Sequence, residues 1–130
     1  MAIRLLLFAY RKPGLSPLQF KTHYEDIHVP LIKSLAGDDF PVLHSRRYLH
    51  RGNDLNDNNE YPATVFVGDQ DSFKYDAICE LVFNSQEAME RFRDKTGTPE
   101  AKAALEEDEL KFLDRTKLKI VLLGDYIESQ

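Results

Sequence analysis

Apolar residues follow one another without alternation from Ile3 to Arg11, broken only by Arg4, which is the pattern of a strand covered on both faces. Pro13-Gly14 forces a turn after it. A helix is then predicted from Ser16, a good N-cap, with Pro17 suited to the first helical position and Gln19 completing a capping box. Phe20, Tyr24, Ile27 and Leu31 recur at helical spacing and give it one apolar face. Pro30 is expected to interrupt this helix, since it cannot donate to the Asp26 carbonyl and disfavours the α conformation at Val29. A further short turn runs from Leu31 to Ala36, stopped by Gly37.

Val42 to His50 alternates and reads as a second strand. Residues 51–74 are rich in Asn, Asp and Gly and read mainly as a loop, with a short extended piece at Ala63–Val67. Loops of that length usually serve function or contact a second subunit. Tyr75–Phe83 is a third strand, and Asn84 with Glu87 opens a second helix that turns Ala88, Met89 and Phe92 inward. Thr98-Pro99 caps a continuation to about Leu105, after which Glu106-Glu107-Asp108-Glu109 reads as a solvated surface. Lys117–Tyr126 is a last strand, apolar on both faces.

The order β-α-β-β-α-β predicts one α+β domain over residues 1–130, with a four-stranded antiparallel sheet of ferredoxin-like type. Two helical segments cover only one face of such a sheet. The doubly apolar first and last strands therefore predict a second copy on the other face, and so a homodimer.

Composition narrows the partners. A net charge of −5 with scattered Lys and Arg argues against nucleic acid. The N-terminal apolar run is too short for a membrane span and lacks a cleavage-site pattern, and no Asn-x-Ser/Thr acceptor occurs. A cytoplasmic protein is the expectation. Cys79, the single cysteine, sits within an apolar run and is expected to be a buried thiol.

Candidate chemistry collects in two segments. His28 lies at the edge of the first helix's apolar stripe, just before Pro30, where it serves either proton transfer or a loose carbonyl at the broken helix. Along the second strand His44, Arg46 and Tyr48 share a face with Val42 and His50. They suit the roles of base, anion stabiliser and hydrogen-bond donor, or else form a polar edge. Phe20 and Tyr24 would line a helix–sheet pocket. Asp76 and Glu80, on one face of the third strand, would orient a His or pair with Arg46.

No metal is expected. His44 and His50 lie ~20 Å apart along a strand, and His23 and His28 point about 140° apart on an α-helix. No nucleotide-binding motif is present, so no cofactor is expected either.

Arg11-Lys12-Pro13-Gly14-Leu15-Ser16-Pro17-Leu18-Gln19-Phe20 followed by Tyr24-Glu25-Asp26-Ile27-His28-Val29-Pro30-Leu31 resembles the opening of the EthD family. Phe40-Pro41, His44-Ser45-Arg46-Arg47-Tyr48 and Tyr75–Phe83 look like that family's fungal branch. The resemblance implies a dimeric α+β barrel with a pocket between sheet and helices in each subunit. The activity it suggests is that of a cofactor-independent lyase or isomerase: a decarboxylase, dehydratase or cyclase acting on an aromatic, polyketide-like molecule. The alternatives are a cofactor-free monooxygenase of phenolic substrates and a non-catalytic dimer that binds a small hydrophobic or phenolic ligand.

Overall fold

A computed structural model describes residues 1–130. Strands β1 (Ile3–Ala9), β2 (Leu43–Tyr48), β3 (Ala77–Phe83) and β4 (Lys119–Leu122) form one sheet in the order β2-β3-β1-β4. Every neighbouring pair is antiparallel, giving the ferredoxin-like arrangement that the element order predicts. No helix is long and apolar enough to cross a membrane.

The pairing sorts the side chains. Leu5 stands opposite both Leu81 and Leu122, and Leu7 opposite Cys79 and Ile120, on the face towards the helices. The other face carries Arg4, Leu6, Phe8, Ile78, Glu80, Val82 and Val121. Beneath the helices, Ala9, Phe20, Tyr24, Val29, Ala77, Cys79, Phe112 and Leu113 make the core. β4 is shorter than its apolar run and, in the single chain, more than half exposed at Ile120 (57%) and Leu122 (65%). Its expected burial on two faces is therefore not met within one chain.

The first helical segment departs from expectation. Ser16 caps α1 (Pro17–His23) through the predicted capping box, but Pro30 does not break the rod. A π-helical turn, Tyr24–His28, joins α1 to α2 (Val29–Ala36), and Val29 keeps α geometry at φ −61°, ψ −46°. The Val29 N–H reaches back five residues to the Tyr24 carbonyl. This wider turn shifts the register in which the missing Pro30 donor falls, so the proline sits in the first turn of α2, where no donor is needed.

The second segment is α3 (Gln86–Thr96) followed by α4 (Pro99–Phe112). Ser85, not Asn84, caps α3, its side chain accepting from the Ala88 N–H. α4 runs a further two turns beyond the expected end near Leu105, because Ala101, Leu105, Asp108 and Phe112 form a stripe facing inward. An aspartate in that stripe hides its period.

Between β2 and β3 the chain is irregular apart from a 3₁₀ turn, Gln70–Phe73, and an isolated bridge from Arg51 to Ala63. Arg51 fastens this loop. Its guanidinium is 2.9 Å from Asp76 Oδ1 and donates to the carbonyls of Tyr61, Phe73 and Tyr75.

Candidate functional site

Between the sheet and the helices lies a cavity of about 560 Å³. Its walls are mostly hydrocarbon and aromatic: Leu5 and Leu7 from β1, Leu81 and Phe83 from β3, Met89 and Phe92 from α3, and Leu105 from α4. Its polar lining is Tyr24, His28, His44, Arg93, Thr96 and Glu109. An apolar cavity with a few converging polar groups is the usual form of a small-molecule site.

The π turn sets the geometry around His28. In an α-helix His23 and His28 diverge by about 140°, yet both reach one carboxylate here. His28 Nδ1–H donates to Asp108 Oδ2 at 2.8 Å and His23 Nε2–H to Asp108 Oδ1 at 2.9 Å. The extra residue of the turn takes up the angular difference, which corrects the expectation that the two imidazoles point apart. His28 and Asp108 are buried, 4% and 5% exposed, and both imidazoles pack on Phe112, His23 stacked at 4.7 Å between ring centroids and His28 tilted at 4.9 Å.

Because a carboxylate only accepts, the nitrogens facing it carry the hydrogens. His28 Nε2 is then left as the basic nitrogen, 3.8 Å from Glu109 Oε2. Burial pushes the Glu109 carboxyl above its ordinary range, against the opposing pull of His28 and Arg115. Asp108 and Glu109 belong to the stretch expected to be solvated surface. What gives them away is position: Asp108 stands four residues before the buried Phe112, on the stripe begun by Ala101.

His44 projects from β2 towards Tyr24 and Phe40. Burial, followed by the nearby Arg46 charge, lowers its pKa to about 4, so the imidazole is neutral near pH 7. Its Nδ1 is buried without a partner. The Tyr24 hydroxyl lies 3.3 Å from Cys79 Sγ, and burial raises the phenol well above its ordinary value. Burial also lifts the Cys79 thiol to about 11, consistent with a structural cysteine.

The other sequence candidates lie elsewhere. Arg46 and Tyr48 share the helix-facing side of β2 with His44, as the alternation predicts, but both are taken by Glu25 of the π turn. Arg46 Nη2 donates to Glu25 Oε1 at 3.0 Å, and the Tyr48 hydroxyl to Glu25 Oε2 at 2.5 Å. Neither lines the cavity. Phe20 is fully buried behind Tyr24, against Phe112 and Tyr48, and so packs the core instead of meeting a ligand.

Asp76 precedes β3 and is buried between Arg11 and Arg51. Glu80 is on the opposite face of the sheet, 3.0 Å from Arg4. Neither acidic residue reaches His28, His44 or Arg46. No group of three or more His, Cys, Asp or Glu is arranged to hold a metal ion.

A family model described as the EthD domain matches residues 12–116. Among solved structures, an ethyl tert-butyl ether d (EthD) family protein from Bacillus halodurans aligns at 19% identity with a TM-score of 0.55, covering 97% of this chain and 100% of its own. An EthD-like protein from Ralstonia eutropha aligns at 15% identity and TM-score 0.56, covering 94% and 87%. A dimeric ferredoxin-like protein of unknown function from Thermobifida fusca aligns at 15% and 0.52, covering 95% and 91%. At these identities the likeness is one of fold. No curated protein matches the chain.

Proposed function

This chain belongs to the EthD domain family, and we propose that it is a cofactor-independent lyase or isomerase that moves protons on a small, largely apolar molecule. An aromatic, polyketide-like or phenolic compound suits a cavity walled by Leu, Phe and Met, with Tyr24, His28, His44 and Glu109 among its polar groups and Arg93 and Thr96 beside them. Decarboxylation, dehydration and cyclisation on such a framework all pass through an enol or enolate and need the same proton transfers. The reading extends to a cytoplasmic homodimer, supported by the apolar open face of the sheet and by the dimeric description of one protein of this fold. Of the motifs that resemble the family's fungal branch, Phe40, Pro41, His44, Leu81 and Phe83 stand on the wall of this cavity.

The observation that carries the proposal is the buried Asp108–His28 pair. Asp108 accepts from Nδ1 and stabilises the imidazolium that forms when Nε2 takes a proton from the substrate. Glu109, raised by burial, stands beside Nε2 to return a proton or to share one with the developing oxyanion. Neutral His44 offers a hydrogen bond without a charge.

The test is turnover of hydroxylated aromatic β-ketones and β-keto acids by the wild type and by His28→Gln, with binding followed by calorimetry. Gln keeps an amide N–H in the pocket, near the place of Nε2, but cannot shuttle a proton near neutral pH. It should bind as the wild type does and lose about 10²–10⁴-fold in kcat. A wild type that binds these compounds and converts none of them is a ligand-binding dimer instead. Consumption of oxygen by the bound phenol would favour the monooxygenase.

A further inference from the structure

We propose that His23, which lies outside the cavity, is a positioning residue that fixes the tautomer of His28 through Asp108. This inference rests on the proton-transfer reading of the same site.

A carboxylate joined to one imidazole by a single oxygen can swing, and the imidazole can then turn to present either nitrogen. Here both oxygens are held. Oδ2 faces His28 Nδ1 and Oδ1 faces His23 Nε2, at 2.8 and 2.9 Å. His23 is itself held flat against Phe112, the two rings 25° from parallel, and Phe112 is fully buried. Asp108 therefore has one orientation, and with it His28 has one tautomer, the one with Nε2 free on the cavity side. Which ring nitrogen carries the proton is set by the bond that the other makes.

The π turn is what allows this. Without its extra residue the two histidines would diverge, and Oδ1 of the buried Asp108 would be left unpaired. Nothing else in the chain bonds to that oxygen.

Two substitutions separate the hydrogen bond from the packing. His23→Phe keeps a ring on Phe112 and removes the donor, whereas His23→Gln restores an N–H at a similar reach and removes the ring. Two-dimensional ¹⁵N–¹H spectra of the ring nitrogens report the tautomer of His28 in the free protein. The wild type should show a single form protonated at Nδ1. His23→Phe should show exchange between forms, with kcat lowered at least about tenfold and KM little changed. His23→Gln should restore both.

An unaltered His28 signal in folded His23→Phe overturns the proposal, as does exchange in both variants. Because the spectra need no substrate, a locked His28 in a protein that turns nothing over counts against the catalytic reading and leaves the positioning role standing.

Discussion

Glu25 and Arg46 form a two-pronged ion pair between the π turn and β2, with Nε 2.5 Å from Oε2 and Nη2 3.0 Å from Oε1. Arg46 and Tyr48 are therefore spent on joining the helix to the sheet and keep only an indirect part in any chemistry. The Arg46 hydrogen bond holds the Glu25 carboxyl below its ordinary 4.5, helped by Tyr48 and opposed by burial.

Glu25→Gln should consequently cost about 1 kcal/mol near neutral pH, a modest figure because the pair is partly open to solvent. A depressed carboxyl stabilises the fold above its unfolded pKa and loses that contribution as pH falls through the folded one. Urea unfolding of wild type and variant should differ at pH 7 and converge as the pH falls below the ordinary 4.5 and through the lowered folded value. A difference that stays constant after the Glu25 carboxyl has taken up its proton would mean that the ionised carboxylate is not what matters.

Arg51 is a different kind of cation, 5% exposed at its side chain and surrounded by Asp76, the Tyr61 and Phe73 carbonyls of the 51–74 loop and the Tyr75 carbonyl just beyond it. Removing it leaves Asp76 with Arg11 alone and frees those carbonyls. Arg51→Ala should cost about 3–5 kcal/mol and open the loop to proteolysis before the rest of the chain. Arg51→Lys should rescue little, because a point charge cannot serve a carboxylate and three carbonyls set around a planar fork. Urea midpoints and the site of first cleavage check both statements.

Strands, caps and topology were legible because each is a local signal: apolar runs in β1 and β3 interrupted only by Arg4 and Glu80, a capping box at Ser16, Thr98 before Pro99. Half of the candidate site was legible too. Tyr24, His28 and His44 reach the cavity because the helical and strand periods place them there. The rest depends on one event that the spacing does not announce. Pro30 reads as a break, but the chain absorbs it by widening one turn, and that turn sends His23 and Glu25 to new partners. Asp108 and Glu109 were hidden for a related reason. A buried carboxylate is expensive alone, so an acidic run reads as surface until two histidines eighty and more residues away are seen to satisfy it.

The open face of the sheet carries Leu6, Phe8, Ile78, Val82 and Val121, with Arg4 and Glu80 paired among them. A face of this composition is expected to pack on a second copy. Sedimentation at micromolar concentration should give about twice the 15.0 kDa of the chain. Val121→Asp places an unpaired charge on a residue that is half exposed in the single chain, so it should leave the monomer folded and shift it away from the dimer. A wild type that stays monomeric removes the barrel.

His44 makes the most direct pH prediction. Its imidazole is buried beside Arg46 and titrates at about 4, against an ordinary 6.5. Between those values the unfolded chain binds a proton that the folded chain refuses. Stability from this group is thus complete above about pH 6.5 and is lost progressively as pH falls towards 4, by at most about 3 kcal/mol. His44→Phe fills the same place without a titrating group, and its stability should fall less steeply across that interval than the wild type's. The ring proton signals of His44 should remain those of the neutral form down to about pH 5. If they titrate near 6.5 instead, His44 is solvated, its Nδ1 is satisfied by water, and a cationic role at the cavity becomes available to it. If they behave as expected, His44 meets the ligand as a neutral hydrogen-bonding group at pH 7, and His28 is left as the imidazole that changes charge during the reaction.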